Sequence, residues 1–256
     1  MENIFIPYGK QSINDEDIKI VESVLRSDFL TQGPQIRKFE EAIATFVHSQ
    51  FALAVNSATS ALHLGCMALG LKKGDYLWTS PNTFVASANC AKYCGAKVDF
   101  VDIDISTGLI SINELSKKLH LAKEKNCLPK IVIPVHLGGA SCEMKEIYNL
   151  SKIYKFKIIE DASHAIGGLY NNKPVGSCIY SDISIFSFHP VKIITTGEGG
   201  IATTNNLSLF KKMNLLRSHG ITKNNNEFIF SNKSKWYYEQ QNLGYNYRIT
   251  DIQCAL

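Results

Sequence analysis

The stretch "FALAVNSATSALHLGCMALG", from Phe51 to Gly70, indicates the fold class of this protein. Its first five residues are all apolar, which predicts a buried β-strand. The polar residues after Val55 mark the start of a helix, and Gly70 marks its end. A strand that leads through a tight turn into a helix is typical of the first unit of an α/β fold.

The same alternation continues as far as Asp161. We predict strands in "DYLWTS" (75–80), "AKVDFVDI" (96–103), "KIVIPVH" (130–136) and "FKIIED" (156–161). We predict helices between them, in "TFVASANCAKYCG" (83–95), "SINELSKKLHLAKEK" (111–125) and "EMKEIYNLSKIYK" (143–155). Such alternation indicates crossover connections and helices on both faces of a mainly parallel sheet. The predicted fold class is therefore α/β, a three-layer sandwich with a mainly parallel mixed sheet.

Further helices and shorter strands flank this alternating region. Before it, one helix is predicted over 14–26 with Ile18, Val21, Val24 and Leu25 at helical spacing, and a second helix carries Phe39, Ile43, Phe46 and Val47. After it come the strands "SDISIFSF" (181–188) and "GGIATTN" (199–205), and a helix over Leu207–Arg217. The segment "ITKNNNEFIFSNKSK" (221–235) is predicted to be a polar, mobile excursion.

We expect residues 1–256 to form one large domain. Its predicted parts are a helical segment over about 10–48, the sheet and its helices over about 50–220, and a link that starts at about 245. The last residues, "YRITDIQCAL", begin a helix with an Asp start signal but end without a cap and with an unfinished apolar face. We therefore expect a C-terminal small domain to be missing from this chain, with a natural frayed end as the competing explanation.

The composition is that of a soluble globular protein, with 45% hydrophobic and 20% charged residues. The net charge of +4 is spread along the chain without a lysine or arginine block, so nucleic acid is not an expected partner. The N-terminus, "MENIFIPYGK", lacks the long apolar run of a signal peptide, and no stretch is long enough to cross a bilayer. We expect a cytoplasmic protein without a membrane partner.

The seven cysteines are odd in number and scattered, which favours reduced thiols. Cys90 and Cys94 lie four residues apart on a predicted helix, a spacing that could start a metal site. No matching pair of His or Cys follows at ligand spacing, so no metal is expected.

Three groups of residues at predicted strand ends could carry chemistry, because ligands collect at the carboxyl ends of parallel strands. The first is "NSATS" (56–60), where the backbone N–H groups and hydroxyls of Ala58, Thr59 and Ser60 stand at a helix start. They could bind a phosphate. Simple capping of the helix by Ser57 or Thr59 explains the same residues equally well.

The second group is "IIEDASHA", which places Asp161 at the end of an apolar strand and His164 three residues later. A buried carboxylate needs a cation or hydrogen-bond donors. The protonated ring nitrogen of a heteroaromatic cofactor would serve, and so would a helix end or an arginine. For His164 alone, a hydrogen-bonded structural role is the more frequent case.

The third group is "SIFSFHPVKIITTGEGG" (184–200), in which Val191, Ile193 and Ile194 flank Lys192. We expect these apolar neighbours to desolvate the amine, which lowers a lysine pKa and favours a nucleophile. Most lysines are solvent-exposed, so Lys192 taken alone would be assigned to the surface. All three groups together change that assignment, because a phosphate site, a carboxylate and an amine are the contacts that pyridoxal phosphate requires.

Six motifs carry a family resemblance: "NSATSALHL", "PNTFVASAN", "EDASHAIGG", "SIFSFHPVKIITTGEGG", "LRSHGI" and "GYNYRITDIQCAL". With them the sequence resembles the DegT/StrS-type nucleotide-sugar aminotransferases, which are fold type I pyridoxal-phosphate enzymes. The motifs "FHPVKIITTGEGG", "RSHGITK" and "YYEQQNLGYNYRITDIQ" resemble the subgroup of pseudaminic acid biosynthesis.

The resemblance implies a role for each matching residue. Lys192 would form the Schiff base with the cofactor and later move a proton. Asp161 would pair with the pyridinium nitrogen, and His164 would lie near the phenolic oxygen. The other implied cofactor contacts are Ala58, Thr59 and Ser187 at the phosphate, Phe84 stacked on the ring, and Asn246 reaching the phosphate of a partner subunit, with Arg248 nearby. Thr31, Gln32 and Gly33 match a segment that borders the sugar pocket.

The implied reaction moves an amino group from glutamate to a UDP-4-keto-6-deoxy-N-acetylhexosamine, in a homodimer whose sites are shared between chains. A pyridoxal-phosphate sugar dehydratase is a rival interpretation, but in those enzymes histidine replaces the lysine that stands here at 192. An inactive or cofactor-binding fragment is a second rival, and a Rossmann-type dehydrogenase is a third. No GxGxxG follows an early strand, which argues against the dehydrogenase.

Overall fold

The structure is a computed structural model that describes residue 7 and residues 9–230 and 234–256. Most of "MENIFIPYGK" and residues 231–233 of the predicted mobile excursion therefore lie outside the described residues. The helices are α1 (Asp15–Leu25), α2 (Pro34–Phe46), α3 (Ala58–Ala68), α4 (Ala86–Tyr93), α5 (Ile112–Glu124), α6 (Met144–Tyr154), α7 (Leu207–Arg217) and α8 (Asp251–Ala255). Two short 3-10 turns cover Leu137–Gly139 and Asn225–Glu227.

The strands also follow the chain order. They are β1 (Phe51–Val55), β2 (Tyr76–Thr79), β3 (Lys97–Phe100), β4 (Ile131–Ile133), β5 (Lys157–Asp161), β6 (Leu169–Tyr170), β7 (Lys173–Pro174), β8 (Ile183–Ser187), β9 (Gly200–Thr204), β10 (Ile221–Thr222) and β11 (Glu239–Gln240). The short pairs β6–β7 and β10–β11 form two-stranded ribbons. The second ribbon begins in the segment that we predicted to be a polar, mobile excursion.

The main sheet has seven strands in the order β1-β9-β8-β5-β4-β2-β3. Pairing is parallel from β8 through β5, β4 and β2 to β3, whereas β9 is antiparallel to both of its neighbours, β1 and β8. The predicted mainly parallel mixed sheet is confirmed. Because β9 runs against the others, it brings the glycine-rich turn before Gly200 to the same sheet edge as the carboxyl ends of β1, β5 and β8.

Alternating side chains of the central strands pack into separate cores on the two faces of the sheet. On β4, Ile131 and Ile133 belong to the core beneath α3, α4 and α7, whereas Val132 belongs to the core beneath α5 and α6. A third core, with Phe186 of β8, lies beneath α2. This period of two is what a strand covered by helices on both faces requires, and the three layers match the predicted sandwich.

The predicted apolar faces of the first two helices are only partly buried. Val24 is buried on α1, but Ile18 and Leu25 are 55% and 57% exposed, and Phe46 of α2 is exposed as well. The last helix begins at Asp251, in agreement with the predicted Asp start signal, but Asp251 is not its N-cap. Its N-cap is Thr250, whose side chain accepts from the backbone N–H of Gln253. Asp251 is buried, and its carboxylate accepts from backbone N–H groups at the start of α2.

No helix among the described residues is long and apolar enough to pass through a bilayer.

Candidate active site

A cavity of about 580 Å³ lies at the sheet edge where β1, β5 and β8 end. It receives side chains from the turn into α3, from the segment before α4, from the loop after β5 and from the loop between β8 and β9. The cavity brings together most of the residues singled out in the sequence, namely Ala58, Thr59, Phe84, Asp161, His164, Ser187 and Lys192. Its volume is in the usual range for a small-molecule site.

The start of α3 forms one wall of the cavity and offers free backbone donors. The Ser57 side chain caps the helix by accepting from the Ser60 N–H at 3.1 Å. The N–H groups of Ala58 and Thr59 have no acceptor among the described residues, because the first amides of a helix have no partner within it. Capping and anion binding are thus compatible here, and two amides at a positive helix end suit a phosphate.

Gly200 allows the sheet to approach this helix start closely. A Cβ on Gly200 would lie 2.3 Å from the Ala58 nitrogen and 2.5 Å from the Ser57 carbonyl carbon. Both of these atoms belong to the backbone and cannot turn away. Ser187, which pairs with Gly200 across β8 and β9, lines the cavity beside them.

Asp161 is buried at the end of β5, and its carboxylate accepts three hydrogen bonds. Ser87 Oγ donates to Oδ2 at 2.6 Å, while Ser163 donates to Oδ1 through its hydroxyl at 2.6 Å and its backbone N–H at 3.2 Å. The partners of this buried acid are therefore two serine hydroxyls and one backbone N–H, and no ion pair involves it among the described residues. The hydrogen bonds orient the carboxylate, and no cation in the described part of the chain pairs with it, which leaves it available for a cationic ring nitrogen.

His164 faces the same cavity as a neutral imidazole. Its Nδ1 accepts the backbone N–H of Gly138 at 3.2 Å, so the ring proton belongs on Nε2. Burial lowers the pKa of His164, and the nearby positive charge of Lys192 lowers it further, while Asp161 opposes both effects. His164 can therefore donate a hydrogen bond from Nε2.

Lys192 is half-buried, and burial lowers the pKa of its amine while the charge of Asp161 opposes that shift. The predicted source of the burial is wrong, however. Val191, Ile193 and Ile194 are each at least 45% exposed, and only Val191 lines the cavity. The amine is desolvated by the cavity walls because the loop turns it inward, away from its neighbours in the sequence.

The remaining predicted residues lie elsewhere in the chain. Gln32, Gly33 and Arg248 line a second cavity of about 830 Å³ beside α2 and α7. Thr31 forms an isolated bridge with Thr250 and lines neither cavity. Asn246 is exposed, bridges to Ser218, and is also absent from both linings.

The sequence patterns did not single out Thr83, Ser87 or Ser163. Ser163 had a readable signal, because a short polar side chain two residues after a buried acid is placed to bond back to it. Thr83 and Ser87 have helical spacing, but their link to Asp161 spans 74 residues and arises only in the fold. No group of three potential metal ligands occurs within the described part of the chain.

Comparison with known proteins agrees with this geometry. Residues 11–256 match the sequence profile of the DegT/DnrJ/EryC1/StrS aminotransferase family. The chain belongs to this family. It is 45% identical over 251 residues to the UDP-4-amino-4,6-dideoxy-N-acetyl-β-L-altrosamine transaminase of Campylobacter jejuni, in a match that covers 98% of this chain and 62% of that protein. The chain thus spans less than two thirds of the length of this family member.

Two solved structures have the same fold. Helicobacter pylori PseC, an aminotransferase of pseudaminic acid biosynthesis, superposes with a TM-score of 0.87 at 36% identity, over 97% of this chain and 63% of PseC. The protein Spr1654 of Streptococcus pneumoniae, in its PLP-form, superposes with a TM-score of 0.84 at 28% identity, over 98% of this chain and 64% of Spr1654.

Pyridoxal phosphate is the cofactor of aminotransferases in this family, and the cavity fits it. The free amides of Ala58 and Thr59 suit the phosphate, the carboxylate of Asp161 suits the ring nitrogen, and the amine of Lys192 suits the aldehyde. These donors, acceptor and nucleophile line one cavity of adequate volume.

Proposed function

We propose that this chain is the cofactor-binding part of an aminotransferase that moves an amino group from glutamate to a UDP-4-keto-6-deoxy-N-acetylhexosamine, as in pseudaminic acid biosynthesis. The observation that carries the proposal is the presence of Lys192, Asp161 and the free amides of Ala58 and Thr59 in one cavity. The similarity to the Campylobacter jejuni transaminase and to PseC supports the choice of substrate.

Each residue would hold one part of the cofactor. Ala58, Thr59 and Ser187 would bind the phosphate, Asp161 the ring nitrogen, His164 the phenolic oxygen and Lys192 the aldehyde carbon. Phe84 stands at the mouth of the cavity with 73% of its surface exposed, where it could cover one face of a ring. When bound, pyridoxal phosphate supplies the electron sink that amino-group transfer needs.

Lys192 would also move the proton in the reaction. Burial lowers the pKa of its amine, so a larger fraction of it is unprotonated near neutral pH than in an exposed lysine. Such an amine can accept a proton on one side of the transfer and return it on the other. Asp161 keeps a negative charge close by, which limits how far the pKa falls.

We propose a homodimer as the working unit. Asn246 is exposed and lies outside the cavity of its own chain, a position suited to the cavity of a second copy. Phe84, Val85, Ile193 and Ile194 leave apolar surface exposed around the cavity, which a second copy could cover. The cytoplasm, where free thiols such as the seven in this chain stay reduced, is the proposed compartment.

The test is a spectrophotometric titration of the purified chain with pyridoxal phosphate, followed by addition of glutamate. We expect a visible absorbance band on binding and its loss when glutamate is added. Lys192→Ala should lose both the band and any turnover of a UDP-4-keto-6-deoxy sugar, while Lys173→Ala, which removes an exposed lysine, should keep them. A Lys192→Ala variant that keeps the band or the turnover would reject the assignment. A wild-type band that glutamate leaves unchanged would favour a cofactor-binding fragment.

A further inference from the structure

The hydroxyl of Ser87 lies in the middle of a series of hydrogen bonds that ends at Asp161. Ser87 Oγ lies 2.6 Å from Asp161 Oδ2 and 2.8 Å from Thr83 Oγ1. Ser87 is fully buried in the first turn of α4, and Thr83 lines the cavity. These hydrogen bonds therefore connect the cavity wall to the buried side of the Asp161 carboxylate.

The number of hydroxyl protons fixes which group donates in each of these two hydrogen bonds. A serine hydroxyl has one proton to donate, and an ionised carboxylate can only accept. The proton of Ser87 must therefore point to Asp161, so the hydroxyl of Thr83 donates to Ser87. The result is an ordered relay of donors, Thr83 to Ser87 to Asp161, in which no hydroxyl is free to reverse.

Ser87 is held in place by its surroundings. Its backbone carbonyl accepts from the thiol of Cys90 one turn later, and α4 packs against α3 and β2. Together with Ser163 on Oδ1, Ser87 therefore fixes both oxygens of Asp161 and, with them, the plane of the carboxylate.

We infer that Ser87 is a positioning residue, which orients Asp161 toward the ring nitrogen of the cofactor with the support of Thr83. This inference rests on the proposed function. It assigns specificity for the ring nitrogen to a hydroxyl whose hydrogen bonds go to Asp161 and Thr83. Removing the Ser87 hydroxyl should therefore weaken the binding of a cofactor that has the ring nitrogen more than the binding of one that lacks it.

The test compares two cofactors on the cofactor-free chain: pyridoxal phosphate and its 1-deaza analogue, in which carbon replaces the ring nitrogen. Ser87→Ala should weaken the binding of pyridoxal phosphate about tenfold, the effect of one lost hydrogen bond to a charged group, and that of the analogue by less than about twofold. Ser87→Thr keeps a hydroxyl and should restore wild-type affinity for pyridoxal phosphate.

Ser184→Ala is the matched control. Ser184 is also a fully buried serine, and its hydroxyl has no hydrogen-bond partner among the described residues. Its affinity for both cofactors should stay within about twofold of wild type, since only an unpaired hydroxyl is lost.

Three outcomes would overturn the inference. If Ser87→Ala weakened the binding of both cofactors equally, Ser87 would have a general packing role. If the affinity for pyridoxal phosphate were unchanged, Asp161 would be oriented without Ser87. If the wild-type chain bound no pyridoxal phosphate, the proposed function would fail together with the inference. That failure is visible before any variant is measured.

Discussion

At the scale of single residues, the amine of Lys192 is subject to two opposing effects. Burial in the cavity lowers its pKa because the charged form loses its hydration, while the negative charge of Asp161 stabilises that form. The balance between them sets how much free amine is present at a given pH. The pair thus acts as a unit, and changing the acid should change the chemistry of the base.

We therefore expect Asp161→Asn to lower the pKa of Lys192 further, since it removes the charge that stabilises the ammonium form. The measurement is the rate at which an amine-reactive reagent labels Lys192 in the cofactor-free chain as a function of pH, followed by peptide mass spectrometry. The midpoint should lie at lower pH in the variant than in wild type, because only the unprotonated amine reacts.

Asp28→Asn, at an exposed acid, is the control for this prediction and should leave the midpoint unchanged. A midpoint that stays in place or rises in Asp161→Asn would mean that the two groups do not interact in solution.

Some residues of this site can be predicted from the sequence, and others cannot. Asp161 ends an apolar strand and Lys192 follows one closely, so the strand pattern itself places them at the ligand-binding edge of the sheet. Ser87 lies within a helix, and nothing local distinguishes it from a helix-surface serine. Its role depends on the packing that brings α4 beside the end of β5, which no single segment encodes.

At the scale of secondary-structure elements, the site depends on the close approach of β9 to the start of α3. Gly200→Ala should destabilise the protein by about 1–3 kcal/mol, the usual cost of overpacking a well-filled site, because its Cβ would meet the backbone of Ser57 and Ala58. The measurement is urea unfolding followed by circular dichroism. Binding of pyridoxal phosphate should weaken as well, since the free amides at this helix start would be displaced.

Gly65→Ala offers a matched comparison within α3. Its Cβ would lie 3.2 Å from Ile159 Cδ1, the mobile end of a side chain. Alanine also has the higher helix propensity, by up to about 1 kcal/mol, so this variant should lose little stability or gain some. Gly200→Ala being as stable as Gly65→Ala would contradict the close approach.

The elements themselves were predictable where their signals are local. Strand β1 and helix α7 have the bounds that the sequence predicts, since apolar runs and caps mark both. Most other elements are shorter than predicted by one to several residues. The apolar residues on α1 point in more than one direction, and periodicity alone cannot tell a core face from an exposed one.

At the scale of the whole molecule, the last residues of the chain are tied to its first helices. The carboxylate of Asp251, fully buried, accepts from the backbone N–H groups of Gly33 at 2.7 Å and Gln35 at 2.8 Å. Gly33 is the N-cap of α2 and has no side chain with which to cap it. Asp251 therefore caps α2 from 216 positions away in the sequence, a role that its local appearance as a helix start concealed.

A second contact holds α2 near Arg248. Close by, Arg217 of α7 forms an ion pair with Glu40 of α2 at 2.6 Å and donates to the carbonyl of Ala54. The capping by Asp251 and this ion pair together hold α2 against β1 and the C-terminal segment. The second cavity lies between these two contacts, with Gln32, Gly33 and Arg248 in its wall.

Asp251→Ala should therefore cost more than a typical helix cap, about 3 kcal/mol for two hydrogen bonds to a buried charge. Asp251→Asn keeps one acceptor oxygen and should lose roughly half as much, while Asp28→Ala, at an exposed acid, should change stability by less than about 0.5 kcal/mol. Urea unfolding of the three variants gives the order. If Asp251→Ala were as stable as Asp28→Ala, the C-terminal segment would not be holding α2.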